Sequence, residues 1–146
     1  MTERARALRE REVKAGLLSL EYYSSFTRQV EAVKRDLLAF LIEARRQGRT
    51  VVGYGAPGKG NTLLNYCGIR TDLLEFTVDR SPYKHGKFTP GTQIPIHDTS
   101  AIRAKRPDYV LILPWNLKDE IAAQLEYVKE WGGRLVVPIP RLEVLE

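Results

Sequence analysis

A short apolar run, Thr50-Val51-Val52, opens into Gly53-Tyr54-Gly55-Ala56-Pro57-Gly58-Lys59-Gly60, and Asn61-Thr62-Leu63-Leu64-Asn65 follow with helical character. A strand that turns directly into a helix is the context in which Gly53-x-Gly55-x-x-Gly58 carries meaning; the spacing alone is a weak signal. Gly55 is expected to let the backbone approach a ligand closely. Gly58 and Gly60 leave backbone N–H groups facing outward where the helix begins. A helix amino terminus has unpaired donors and the positive end of the helix dipole, so it suits a phosphate. Lys59 puts a mobile positive charge beside the same place. The alternative is a tight strand-to-helix connection that holds no ligand.

The rest of the chain falls around this stretch in three parts. Residues 1–16 are a charged lead-in in which Arg alternates with Glu, read as an exposed or frayed helix. Over residues 17–48, Phe26, Val30, Val33, Leu37 and Leu41 recur every three or four positions, which predicts one long helix with an apolar stripe. Arg45 and Arg46 complement its dipole and Gly48 stops it. From 49 to 146 strands alternate with helices. Strands are predicted at 50–54, 73–79, 93–96, 108–113 and 134–139. A helix at 59–67 follows the glycine turn, and Asp98 or Thr99 caps a second that Pro107 ends. Asn116 is expected to cap a third, with Asp119 in the capping-box position and Ile121, Leu125, Val128 and Trp131 on its buried face. The pattern predicts an α/β fold, a Rossmann-like three-layer domain with a mostly parallel five-stranded sheet in the order 3-2-1-4-5, preceded by the long helix. The crevice between strands 1 and 4 then collects the glycine turn, the loop after Asp79 and Pro114-Trp115-Asn116.

Composition narrows the ligand. A net charge of +5 and a pI near 9.4 favour anionic partners such as nucleotides and phosphorylated sugars. Nucleic acid is disfavoured, because the N-terminal Arg residues alternate with Glu and no aromatic-basic patch accompanies them. The apolar run at 37–42 is far too short to span a bilayer, so no membrane partner is expected. The charged N-terminus lacks the apolar core of a signal peptide, and the lone Cys67 cannot form an internal disulfide; both suggest a cytoplasmic protein. One cysteine supplies no zinc site, and no metal site is expected. His85 and His97 lack a carboxylate or nucleophile partner in the sequence, so no catalytic residue is assigned.

Six segments together resemble a known family: residues 53–68, Val78-Asp79-Arg80-Ser81-Pro82-Tyr83-Lys84, Pro90-Gly91, Ile94-Pro95-Ile96, Leu113-Pro114-Trp115-Asn116 and Val137-Pro138-Ile139-Pro140. They are similar to the C-terminal domain of the sugar C-methyltransferases, and the likeness covers about residues 16–146. The resemblance implies an S-adenosylmethionine-dependent enzyme acting on a nucleotide-linked deoxy-keto sugar. It also implies a zinc-binding segment and a methyltransferase domain that this chain does not contain, either separate or deleted. What carries over is the role of holding the nucleotide-diphosphate sugar, with S-adenosylmethionine bound by the complete enzyme and no cofactor by this chain.

On that reading the substrate-binding candidates are Gly53, Gly55, Ala56, Pro57, Lys59, Gly60 and Asn61 on the turn, with Asp79, Ser81, Pro82 and Lys84 after the second strand. Pro114, Trp115 and Asn116 complete the set. Asp79 accepts a sugar or ribose hydroxyl, or else orders its own loop. Lys84 and Lys87 reach phosphate or are solvated. Tyr83 or Trp115 stacks on a base or packs. The competing function is a nicotinamide-dinucleotide-binding module of an oxidoreductase, since Asp79 follows Gly58 at the spacing of the ribose-binding carboxylate.

Overall fold

The computed structural model describes residues 2–145 and divides the chain into two compact units, Met1–Ala32 and Val33–Glu146. In the first unit, α1 (Glu3–Lys14) starts at Thr2, whose hydroxyl oxygen accepts the Ala5 N–H at 3.4 Å. It buries none of its residues, as a helix of alternating Arg and Glu should not. Gly16 breaks it with a φ of +83°, and α2 (Leu20–Arg46) follows, its residues from Val33 onward belonging to the second unit.

The second unit is built on β1 (Val51–Tyr54), β2 (Thr77–Val78), β3 (Ile96–His97), β4 (Tyr109–Ile112), β5 (Arg134–Val137) and β6 (Glu143–Leu145). Their order is β3-β2-β1-β4-β5-β6, with the first five parallel and β6 antiparallel to β5. The order 3-2-1-4-5 read from the sequence therefore holds, with one strand added at the β5 edge.

Alternation along the strands sorts the core into two faces, as a sheet covered on both sides requires. Val51, Leu111 and Val136 pack with Leu37 and Leu41 of α2 and with Leu63 and Leu64 of α3 (Gly58–Cys67). Val52, Val110, Ile112 and Leu135 pack on the other face with Ile102 of α4 (Ser100–Lys105) and Ile121 of α5 (Lys118–Gln124). Leu125 and Val128 join them from the 3₁₀ helix Glu126–Trp131. Cys67 is buried in the first cluster, and burial pushes its thiol up from the ordinary value.

Several predicted boundaries change. The second strand shrinks to Thr77–Val78, because Leu73 and Leu74 turn back onto the Arg70 carbonyl. Leu74 and Phe76 are buried regardless, and an apolar run reads the same whether a strand or a turn buries it. The third strand moves to Ile96–His97. Asp98 supplies the bond at the α4 start, with Oδ1 accepting the Ser100 N–H at 2.9 Å, while Thr99 makes no cap bond. Asn116 does not cap α5. A 3₁₀ turn over Trp115–Leu117 places Leu117 at the cap position without a side-chain bond, and the Asn116 amide faces Lys59 instead.

The apolar stripe of α2 is also shorter than predicted. Leu37 and Leu41 are fully buried and Val33 partly, whereas Phe26 is 63% exposed.

At the amino edge of the sheet Asp108 joins β1 to β4. Its Oδ2 accepts the Thr50 N–H at 2.8 Å and the Thr50 hydroxyl at 3.0 Å, and its Oδ1 accepts Arg49 Nη1 at 2.7 Å. Burial pushes the carboxyl up, but the bonds from Thr50 and Arg49 outweigh it and hold it below the usual carboxylate range. A lowered native value means the stabilisation is present above the unfolded-state value, about 3.9, and is lost as pH falls through the native one. Melting temperature should therefore fall below about pH 4, and Asp108→Asn should flatten that acid slope. Parallel acid slopes for variant and parent would show that the carboxylate contributes nothing through its charge.

Candidate functional site

The carboxyl ends of β1, β2 and β4 bring three distant segments together. In the turn after β1, Gly55 has a φ of +87°, and a Cβ there would lie 2.6 Å from Pro114 Cγ. The glycine is thus required by the left-handed backbone and by the Pro114 ring. This is a reason of the fold, beside the expected one of close approach to a ligand. Gly53 lies against Thr77, its partner across β1 and β2, where a Cβ would meet the hydroxyl oxygen at 2.6 Å. Gly60 lies against Leu113, at 3.0 Å from a built Cβ, so α3 can pack closely on the end of β4. Gly58 differs from all three. It needs no positive φ and has open space where a side chain would project.

The turn satisfies its own polar groups. The Gly55 N–H donates to the Val78 carbonyl at 2.6 Å, and the Thr77 hydroxyl donates to the Gly55 carbonyl at 2.7 Å. The Ala56 N–H donates to Asp79 Oδ2 at 2.8 Å, and the Ala56 carbonyl accepts Lys84 Nζ at 3.1 Å. Pro57 has no N–H to give, occupies the α3 cap position, and makes no side-chain cap bond. The first internal donor of α3 is Asn61, bonded to the Pro57 carbonyl at 3.0 Å. Gly58, Lys59 and Gly60, the first turn of a ten-residue helix, therefore have no acceptor within the helix for their N–H groups; Gly58 is exposed and Gly60 buried.

Lys59 stands beside that first turn. Its ammonium donates to Asn116 Oδ1 and lies 4.9 Å from the centre of the Trp115 ring. The expected meeting of the glycine turn with Pro114, Trp115 and Asn116 is thus made through Pro114 on Gly55 and through Lys59. The Asn61 side-chain oxygen is buried without a hydrogen-bond partner, a costly state for an acceptor.

The loop after β2 closes the third side. Asp79 is occupied within the chain: Oδ1 accepts the Ser81 N–H at 2.9 Å, and Oδ2 accepts Ala56 N–H and, at 2.9 Å, Lys84 Nζ. Burial pushes this carboxyl up, while the bonds from Lys84, Ser81 and Ala56 together hold it below its ordinary value. Of the two roles the sequence left open, ordering its own loop is the one these bonds describe. Pro82 begins a 3₁₀ turn over Pro82–Lys84 that carries Lys84 back to the carboxylate. Tyr83 on the same turn is 85% exposed, and Lys87 is exposed as well.

Three contributors escaped the sequence reading. Thr77 locks the glycine turn from β2. His85, taken as an ordinary loop residue, has Nε2 2.7 Å from the Asp79 carbonyl. Asn65 donates both to the Asn61 carbonyl at 2.8 Å and to the Pro90 carbonyl at 2.9 Å, pinning the loop to α3. All are contacts between residues far apart in sequence or buried in a turn, with no spacing signature of their own. Among the described residues no helix is long and apolar enough to cross a membrane. Nor does any group of three His, Cys, Asp or Glu stand ready to hold a metal ion.

Comparison with known proteins gives three results. The family described as the C-methyltransferase C-terminal domain matches residues 1–140. The C-methyltransferase NovU of Streptomyces niveus is 36% identical over 130 residues, a match that covers 89% of this chain and 31% of NovU. The chain thus spans about a third of the length of that curated relative. Among solved structures, the UDP-D-quinovosamine 4-dehydrogenase of Vibrio fischeri is 18% identical with a TM-score of 0.49, covering 67% of this chain and 93% of that one.

Proposed function

The chain belongs to the C-methyltransferase C-terminal domain family, and from that premise we propose that its sheet unit binds the nucleotide-linked sugar on which a larger methyltransferase acts. The diphosphate would rest on the amino terminus of α3. The observation that carries this reading is the placement of Lys59, held by Asn116 and Trp115 in the first turn of α3, where the space beside Gly58 is open. A fixed cation at a helix amino terminus attracts an anion more strongly than either does alone. Its position between β1 and β4, where the strand order reverses, is where open α/β sheets take their ligands.

The dinucleotide reading is weakened at its central residue, because the Asp79 carboxylate already accepts from Ala56, Ser81 and Lys84. S-adenosylmethionine, which the family implies for the complete enzyme, carries a ribose of the same kind. The same engagement of Asp79 weighs against its binding here, and no step of methyl transfer is assigned to this chain. Such chemistry would belong to a separate methyltransferase domain.

Lys59→Ala should weaken binding of uridine- and thymidine-diphosphate sugars by about 1.5–3 kcal/mol, the scale of a charged hydrogen bond, without lowering the melting temperature. Arg4→Ala should leave affinity unchanged at moderate salt, since an exposed arm contributes only screened attraction. Calorimetric titrations of both variants at two salt concentrations decide the matter. Unchanged affinity for Lys59→Ala would reduce the glycine stretch to a tight turn. Tight S-adenosylmethionine binding by this chain would overturn the division of labour.

A further inference from the structure

Resting on the reading of α3 as the diphosphate site, we propose that Asp79 and Lys84 form a latch that positions the glycine turn for the ligand, without touching the ligand through the carboxylate. The two side chains hold Ala56 from both sides: the Asp79 carboxylate takes its N–H at 2.8 Å, and the Lys84 ammonium reaches its carbonyl at 3.1 Å. The 2.9 Å ion pair between them closes the ring. Ala56 sits between Gly55, whose left-handed φ turns the chain, and Pro57, which stands at the start of α3. Fixing the N–H and the carbonyl of that one residue sets both peptide planes that lead from Gly55 into α3, and so the direction of its first-turn donors.

The latch is itself anchored at its far end. Ser81 N–H fills the remaining carboxylate oxygen, and His85 meets the Asp79 carbonyl. The Asp79 side chain keeps only 13% of its surface exposed, against 41% for Lys84. A carboxylate near an anion site is otherwise unfavourable, since it repels the ligand. Its presence here is accounted for by the hydrogen bonds it accepts.

This gives a test in which the sign of the effect decides. Asp79→Asn keeps the shape but removes the charge and one acceptor, so Ala56, Ser81 and Lys84 can no longer all be served. Uridine diphosphate is the probe, with affinities measured well below the melting temperature of each variant. If the pair positions the turn, Asp79→Asn should weaken binding about tenfold, the size of one charge-assisted hydrogen bond. Lys84→Met should do likewise, and Lys84→Arg should recover most of the loss. Hydrogen exchange at the Ala56 amide should speed up in Asp79→Asn without added ligand.

If Asp79 is only an electrostatic burden beside a directly binding Lys84, Asp79→Asn should instead bind uridine diphosphate more tightly, and that result overturns the latch. A loss of thermal stability with unchanged affinity would overturn it too, leaving a structural role alone. Lys59→Ala separates the two layers. If it weakens binding while Asp79→Asn does not, the site stands and the latch fails. If it leaves binding unchanged, the site fails and takes the latch with it.

Discussion

Gly55→Val should strongly destabilise the sheet unit, and its loss of ligand binding should follow in part from that. The backbone at this position has a φ of +87°, where an L side chain is penalised by about 1–2 kcal/mol. A β-branched side chain would also be driven into the Pro114 ring, 2.6–2.7 Å from where its Cβ must lie. Overpacking of that kind costs about 1–3 kcal/mol more. The summed loss of about 2–5 kcal/mol is a large share of a domain's net stability, about 5–15 kcal/mol. Urea titration should show the midpoint falling accordingly. Gly58→Ala makes the contrast. With open space and no positive φ it should be neutral or gain up to about 1 kcal/mol, because the unfolded chain loses freedom. A methyl group there projects into the proposed ligand space, so nucleotide affinity should still fall. Should Gly55→Val melt with the parent, the turn does not have the geometry described.

The contrast between these two glycines marks where sequence reading reaches its limit. The spacing Gly53-x-Gly55-x-x-Gly58 correctly located a strand, a turn and a helix, because hydrophobic periodicity and turn chemistry are local properties. Which glycine serves the fold and which leaves room is decided by Pro114, just past β4, and by Thr77 of β2, residues that the linear pattern does not pair with the turn. The parallel order followed from alternation of strands and helices together with right-handed crossovers. β6 was not legible: Glu143-Val144-Leu145 is three residues long and its pairing with β5 comes from register, not from period. Asp79 shows the same limit in the site. Its place at the end of β2 was readable, but its partners Ala56 and Lys84 were chosen by the turn over Pro82–Lys84. Asn116 has the sequence look of a helix cap, yet the 3₁₀ turn at Trp115–Leu117 moves the helix start past it. Local capping rules hold only where the backbone enters the helix without such a turn.

Leu37→Ala should cost about 2–5 kcal/mol, the range for truncating a fully buried leucine and leaving a cavity behind. Leu37 has no exposed surface and packs with Leu41, Leu63, Leu64 and Leu111, so α2 covers one face of the sheet from Val33 onward. Phe26→Ala is the internal comparison, because Phe26 shares the helical stripe by spacing but is 63% exposed. Surface changes of that kind stay within about 0.5 kcal/mol. The two variants separate what periodicity implies from what burial supplies. The same helix also touches α3: Lys34 donates to the Tyr66 carbonyl at 2.9 Å and lies 4.8 Å from the Tyr66 ring centre. That contact steadies the carboxyl end of α3, where a cation complements the helix dipole. The proposed ligand site is at the other end of α3, roughly 12 Å away along its axis. Leu37→Ala should therefore lower the urea midpoint while leaving nucleotide affinity of the folded protein near that of the parent. If its midpoint moves no more than that of Phe26→Ala, α2 does not cover the sheet. If affinity falls as far as in Lys59→Ala, the packing of α2 is coupled to the amino terminus of α3, and the helix must be counted as part of the site.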